Sequence, residues 1–305
     1  MGNKLFLIAA CLLVFAASLS IRQRLLQTPD DSLTSQCSCR RIVSLAPSIT
    51  ESLYALGLGD RVVGVTRYCK YPAEVQTLPK VGGFLDPNFE AIVALKPDLV
   101  IILQEHERSL PGFQKLGLKT QVLCHKTIEG IIDSLRQIPR VCGLETQGPT
   151  IADSIQTRLD RIRKKTARLN RPRVMIAIDR IQGAGGLVDV YIAGQDGFFD
   201  KMIELAGGEN VYRQGAASFP VVSAEGIMYM NPEVIIDLVS GLNQEDFQAE
   251  RVLADWNCLP QVAAVKQRRV YAFNRDYATV PGPRFIKFVE DLARLLHPEI
   301  DFNGT

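Results

Sequence analysis

Apolar residues fall into two kinds of run along this chain. Short stretches of four to six positions predict strands at 41–45, 62–65, 99–103, 120–123, 173–178 and 269–273. Between them, apolar residues recur every three or four positions, which predicts helices near 48–57, 127–138, 198–206 and 283–296. Ser48 or Thr50 is placed to cap the first of these helices, with Glu51 in its first turn. Strand and helix in alternation predict parallel sheets with helices on their faces.

The longest periodic segment is 145–170, ETQGPTIADSIQTRLDRIRKKTARLN. Ile151, Ile155, Leu159 and Ile162 lie along one stripe, Pro149 is tolerated in a first turn, and Pro172 closes the far end. Such a helix is either a coiled-coil arm or a strut, and its flanks decide. Before it stands Glu90-Ala-Ile-Val-Ala-Leu-Lys-Pro97-Asp-Leu-Val-Ile-Ile102, and after it Glu225-Gly-Ile-Met-Tyr-Met-Asn-Pro232-Glu-Val-Ile-Ile-Asp237. Each is a glutamate at a helix start, a short amphipathic helix, a proline, an acid and an apolar strand. A second echo pairs Ala55-Leu-Gly-Leu-Gly-Asp-Arg-Val62 with Leu205-Ala-Gly-Gly-Glu-Asn-Val211. The reading is two related α/β lobes, 40–144 and 171–305, joined by a helical strut at 145–170. Chance similarity of common α/β punctuation is the alternative.

Composition changes the picture mainly at the amino terminus. The 305 residues allow two domains, and a formal net charge of +2 without a dense basic run outside the strut gives no sign of nucleic-acid binding. Residues 5–21 are continuously apolar or small behind Lys4, as in a secretion signal or membrane anchor. Ala16-Ala17-Ser18 offers a cleavage site, and Ile8-Ala9-Ala10-Cys11 resembles an acylation site. Residues 1–21 are therefore read as signal peptide or anchor and 22–39 as a polar tether. An exported chain can oxidise its seven cysteines; Cys37 and Cys39 are too close for the usual zinc or redox spacing. Spacing leaves the pairing open, and free buried thiols are an equal reading.

No G-x-S-x-G elbow, phosphate loop, H-E-x-x-H or G-x-G-x-x-G occurs, and Gly183-Ala-Gly-Gly186 reads as a turn. No catalytic residue and no resident metal or cofactor is expected. His106, His125 and His297 are not placed to converge on a metal. His106 reads as a solvent-facing loop residue, with a place in the cleft as the alternative, and His297 as structural. Ligands of open α/β sheets bind beyond the carboxyl ends of the strands. Tyr68, Phe84, His106, Phe219 and Tyr277 stand there, Phe84 beside glycine and Phe219 beside proline, as in a shared apolar cleft.

Four segments carry a more specific resemblance: Arg41-Ile-Val-Ser-Leu-Ala-Pro-Ser-Ile-Thr-Glu51, Gly64-Val-Thr-Arg-Tyr-Cys-Lys-Tyr-Pro72, Leu95-Lys-Pro-Asp-Leu99 and Leu205-Ala-Gly-Gly-Glu-Asn210. Over roughly residues 40–298 the chain resembles the helical-backbone (class III) substrate-binding proteins of ABC importers, which serve vitamin B12, haem and iron siderophores. The segment around Tyr68 and Pro72 is most similar to cobalamin-binding members. The resemblance implies two Rossmann-like α/β lobes bridged by a single long α-helix, and a transported ligand rather than a cofactor. It implies that Glu90 and Glu225 dock onto arginines of the membrane permease. It places Ser48, Tyr68, Phe84, Phe219, Asp276, Tyr277 and Arg284 around the ligand, with Asp276 and Arg284 at its edge. The chain departs from a cobalamin-binding member at Phe84 and Phe219, where that protein carries tryptophan.

The expected function is capture of cobalamin or a related corrinoid outside the cytoplasmic membrane and delivery to an ABC importer. A haem or ferric-siderophore binder is the alternative within the family, since Arg67, Arg180 and Arg284 near the presumed cleft would suit an anionic ligand. An α/β enzyme would need a convergent acid–base or metal cluster, and none is evident. A membrane-anchored receptor using the same fold without transport is a further alternative.

Overall fold

The computed structural model describes residues 39–144, 147–182, 186–195, 197–213, 215, 217–239 and 248–302. The leader, Cys11, Cys37, most of the tether and most of the glycine-rich turn at 183–186 lie outside the described residues.

Lobe one is a four-stranded parallel sheet. Its strands are β1 (Ile42–Ser44), β2 (Val62–Val65), β3 (Leu99–Leu103) and β4 (Thr120–Leu123), in the order β2-β1-β3-β4. Helices α1 (Pro47–Ala55), α2 (Phe89–Ala94), α3 (Leu110–Lys115) and α4 (Ile128–Val141) make the connections. All five residues of β3 are buried, as a strand covered on both faces requires. Val43, Leu45, Val100 and Ile102 pack with Val81, Ile92 and Phe113. Helix α1 starts earlier than a Ser48 or Thr50 cap would place it. Ala46 is the cap residue without a side-chain bond, and Pro47 fills the first position. Ser48 and Thr50 therefore sit inside the helix, and Glu51 is buried there rather than solvated in a first turn.

The bridging helix α5 runs Gln147–Thr166. Ala152, Ile155, Leu159 and Ile162 are buried along its inner stripe. Arg136 on α4 bonds Asp153 at 3.2 Å. Arg158 grips Glu290 with two hydrogen bonds of 2.8 and 2.7 Å. The strut is thus pinned to lobe one at its start and to lobe two further along.

Lobe two contains β5 (Arg173–Asp179), β6 (Val190–Ile192), α6 (Phe199–Leu205), β7 (Glu209–Asn210), β8 (Val221–Val222), α7 (Ala224–Met230), β9 (Val234–Leu238), α8 (Ala249–Ala254), α9 (Ala263–Lys266), β10 (Val270–Phe273) and α10 (Phe285–Leu296). The order is β10-β9-β5-β6-β8, with β7 also on β5. Strands β10, β9 and β5 are parallel, whereas β6 and β8 add an antiparallel edge. A purely parallel second sheet, as the alternation predicts, is therefore corrected at that edge. Strands of two or three residues are too short to print a period-2 pattern.

The repeat read from Glu90 and Glu225 extends into atomic detail. Each is the second residue of its helix, behind a cap whose side chain accepts a backbone N–H: Asn88 from Ala91 at 3.0 Å and Ser223 from Gly226 at 3.3 Å. Each helix ends in a left-handed residue, Lys96 (φ 47°) or Asn231 (φ 43°), directly before its proline. The acid after the proline then binds the backbone of the neighbouring strand. Asp98 accepts from Arg40 and Arg41, and Glu233 from Arg173. The arginine opening that strand reaches back to the helix end, Arg41 to Leu95 and Lys96, Arg173 to Met230 and Asn231.

Candidate ligand cleft

The turn from β1 into α1 places Ser48 against the exits of β2, β3 and β4. Together they wall a cavity of about 380 Å³. From lobe one come Ala46, Pro47, Ser48, Tyr68, Phe84, Leu103, Glu105 and His125; from lobe two, Thr279, Val280 and Pro281. The wall is mostly apolar, with polar groups confined to a few points, as small-molecule sites are built. Tyr68 is 54% exposed, offering its ring to the opening.

Ser48, Tyr68 and Phe84 are thus brought together. The other predicted residues stand elsewhere on lobe two. Phe219 is 52% exposed on the loop before β8, edge-on to Phe199 at 6.4 Å. Tyr277 packs on Phe273, and its hydroxyl donates to Asp291 at 2.6 Å. Burial and the Asp291 carboxylate push that phenol well above its ordinary range. The lobe-two wall of the cavity is the 279–281 turn, not Phe219 or Tyr277.

Asp276 and Arg284 meet a partner that sequence reasoning missed. Arg284 Nε and Nη2 donate to the two carboxylate oxygens of Glu51 at 2.9 and 2.6 Å, and Nη1 and Nη2 donate to Asp276 at 3.0 and 2.8 Å. Its guanidinium also stacks on Tyr71, 3.6 Å from the ring centroid. Glu51 is 3% exposed. Burial raises its carboxyl above the usual range against the pull of Arg284. At Asp276 burial also works against the charge, but the Arg284 guanidinium prevails and lowers the carboxyl. Gly282 keeps this junction tight, since a Cβ there would stand 3.0 Å from the Glu51 carboxylate and 3.3 Å from Ser48 Cα.

The remaining basic candidates are also committed. Arg180 is not a cleft cation. It is buried between Asp237 and Asp255, bonded at 2.8 and 2.7 Å, with Trp256 donating to Asp237 at 2.8 Å. Arg67 pairs with Asp86 at the surface. A separate polar cavity of about 290 Å³ lies within lobe two. Its arginines are engaged as well, Arg171 with the carbonyls of Glu204 and Gly208, and Arg213 with Glu209.

The histidines do not converge. His106 is buried rather than solvent-facing: Nδ1 accepts from Leu103 N–H at 2.9 Å, and Nε2 donates to the Phe84 carbonyl at 2.5 Å. It fixes the Phe84 loop and meets that ring edge-on at 4.8 Å. Burial lowers its pKa. His297 is buried against the Gly207 carbonyl, and His125 lies between two serines. Among the described residues no three His, Cys, Asp or Glu side chains gather as a metal site.

Glu90 and Glu225 are both exposed. The Ser223 hydroxyl and a backbone N–H hold the Glu225 carboxyl below its ordinary value.

Residues 42–277 match the periplasmic binding protein family model. An uncharacterised ABC transporter substrate-binding lipoprotein of Bacillus subtilis is 29% identical over 85% of this chain and 81% of its own length. A vitamin B12-binding protein of Yersinia pestis is 28% identical over 84% and 86%. Among solved structures, the periplasmic heme-binding protein of Roseiflexus superposes with TM-score 0.72 at 27% identity, covering 85% of this chain and 98% of that one. The vitamin B12-binding protein of Vibrio cholerae gives 0.71 at 27% identity, covering 85% and 97%. These relatives are substrate-binding transport proteins, not enzymes, and their fold is the two-lobed class III architecture described above. With its repeat-related lobes, its bridging helix and a family match that spans both, the chain belongs to the periplasmic binding protein family.

Proposed function

We propose that the chain captures a corrinoid, cobalamin foremost, in the cleft between its lobes and delivers it to the permease of an ABC importer. The charge economy of the cleft carries this reading. Among the described residues the cavity wall holds no lysine or arginine, while Arg67, Arg180 and Arg284 already face carboxylates. A broad apolar macrocycle with an amide rim asks for flat side chains and hydrogen-bonding groups, not for free cations. Tyr68 and Phe84 supply the flat side chains, and Phe219 and Tyr277 on the far lobe are assigned to the part of the ligand that extends beyond the cavity. The vitamin B12-binding relatives support the same assignment.

Haem is the second reading. It is favoured by the likeness to the Roseiflexus protein and by the Tyr68 phenol on the cavity wall, an oxygen ligand of a kind haem iron accepts. A ferric siderophore would need cations released from the pairings above. An enzyme or a non-transporting receptor has no observation in its favour here. For delivery, Glu90 and Glu225 present one carboxylate per lobe at matching helix positions, fit for arginines of the permease. The partner and the exported location rest on the family and on the leader-like residues 1–21, with Cys11 as a candidate acylation site. Calorimetry of the protein against cobalamin, haem and a ferric siderophore tests the reading. Saturable one-to-one heat with cobalamin supports it, and binding of haem with no response to cobalamin transfers the assignment to the second reading.

A further inference from the structure

A buried histidine beneath the cleft decides which way a wall serine points its proton. His125 is 3% exposed, with Nδ1 2.8 Å from Ser48 Oγ and Nε2 2.9 Å from Ser134 Oγ. The Ser134 hydroxyl donates to the Ile131 carbonyl at 2.7 Å, in its own helix α4. Its single proton is thereby spent, so its oxygen accepts from His125, and Nε2 carries the ring proton. Burial keeps the ring neutral, with its pKa lowered to about 4. Nδ1 is then a bare lone pair, and the Ser48 hydroxyl donates to it. Turning the hydroxyl away would strand that buried nitrogen, a costly arrangement. Ser48 therefore offers the cavity lone pairs only.

We propose that Ser48, set by His125 and Ser134, is a specificity-determining residue that selects ligands whose rim donates N–H, as primary amides do, over ligands whose rim carries carboxylates. The inference rests on the cleft being the ligand site. Glu105 in the same wall adds further acceptor oxygens. Ser48 lies in the opening turn of α1, and helix starts present backbone N–H groups without intrahelical acceptors. Those groups take any oxygen and, at a helix start, favour a charged one, so a preference for amides has to come from Ser48. An amide can give its oxygen to the N–H groups and its hydrogen to Ser48, whereas a carboxylate sets lone pair against lone pair. Ser134 acts only as a positioning residue, through the histidine.

The test uses matched pairs of probes: cobalamin against derivatives with each side amide hydrolysed in turn, and haem against its bis-amide. Each is titrated into the parent, Ser48→Ala and Ser134→Ala. For the macrocycle it binds, the parent is expected to prefer the amide over at least one carboxylate counterpart by roughly tenfold, about the worth of one hydrogen bond to a buried partner. Ser48→Ala should erase that preference by weakening the amide form. Ser134→Ala leaves Ser48 in place but frees the ring to adopt the other tautomer, so the preference should shrink through tighter binding of the carboxylate form. If the parent takes haem and not cobalamin, the corrinoid reading falls, while the haem pair still tests Ser48. Equal affinity within every pair, or a preference that survives Ser48→Ala, overturns the role of Ser48. A parent that binds neither macrocycle overturns it together with the cleft.

Discussion

Arg284 of lobe two lies flat on Tyr71 of lobe one, its guanidinium carbon 3.6 Å from the ring centroid, while its other edges hold Glu51 and Asp276. Glu51 is nearly inaccessible, so its carboxylate is stable there only while the guanidinium faces it. Replacing Arg284 with alanine leaves an uncompensated buried charge, which costs about 3–5 kcal/mol in comparable sites. Urea denaturation of Arg284→Ala should show a loss of that order. The combined Glu51→Leu, Arg284→Met variant should recover most of it, because the two apolar groups strand no buried charge and Asp276 is exposed to solvent. Equal losses in the single and double variants would show that the pair is not what holds this junction.

His125 gives the protein a pH dependence of defined sign. Its folded pKa of about 4 lies below the ordinary 6.5. Above pH 6.5 neither folded nor unfolded protein charges the ring. As pH falls from there towards 4, the unfolded chain gains a proton that the folded one refuses, and stability is lost. Two and a half units amount to roughly 3 kcal/mol at about 1.36 kcal/mol each. Glu51 works in the opposite sense, since a carboxyl raised by burial stabilises the fold below its unfolded pKa and loses that contribution as pH rises. The histidine contribution is therefore read as the difference between the parent and His125→Gln at pH 7 and pH 5. The parent should lose more on acidification; identical pH slopes would refute the buried neutral ring.

These contacts also mark where the sequence stopped being informative. Strands at 62–65, 99–103 and 120–123 could be bounded to the residue because apolar runs end there at glycine, proline or polar positions. The Glu90 and Glu225 units were legible because helix, proline, acid and strand follow one another without interruption. Glu51 and Arg284 are 233 positions apart, and Ser48 and His125 are 77 apart, so no local pattern links them. His106 was misread because a histidine after a strand is usually solvated, whereas here two backbone groups satisfy both ring nitrogens. Arg180 looked available for a ligand because Asp255, one of its two carboxylate partners, stands 75 positions away.

A disulfide joins Cys39 to Cys142 across 103 positions, tying the start of lobe one to the end of α4. By the chain-entropy account, closing a loop near that size stabilises by about 4–5 kcal/mol. Cys39→Ser with Cys142→Ser should lower the unfolding midpoint markedly, and reducing agent should do the same to the parent alone. Peptide mapping after alkylation of the native protein should label exposed Cys258 and leave buried Cys69 unlabelled until denaturant is added. Labelling of Cys142 without reductant would contradict the pairing.

Glu90→Arg and Glu225→Arg are expected to separate transport from ligand capture. Both side chains are exposed and neither belongs to the cavity wall, so affinity for the ligand should hardly change. Against the permease arginines of the proposed docking, the reversed charges replace attraction with repulsion and slow association, more so at low salt. Reconstituted transport should fall in each variant and further in the double one, with the deficit shrinking as salt is raised. Ligand affinity that drops in parallel with transport would remove the docking role.

Tyr68 and Phe219 test how far the ligand reaches. Tyr68 stands on the cavity wall beside Phe84, whereas Phe219 sits on the other lobe, outside that wall. An aromatic contact contributes about 0.5–1.5 kcal/mol beyond its buried area, so Tyr68→Ala should weaken binding roughly tenfold. A ligand as broad as a corrin exceeds a cavity of about 380 Å³, and the proposed function extends it beyond the 279–281 turn to Phe219. Phe219→Ala should then cost a similar factor. A ligand that stays inside the cavity predicts a different outcome, with Tyr68→Ala impaired and Phe219→Ala unchanged. If both variants keep the fold by circular dichroism and both bind cobalamin as tightly as the parent, the ring is held elsewhere.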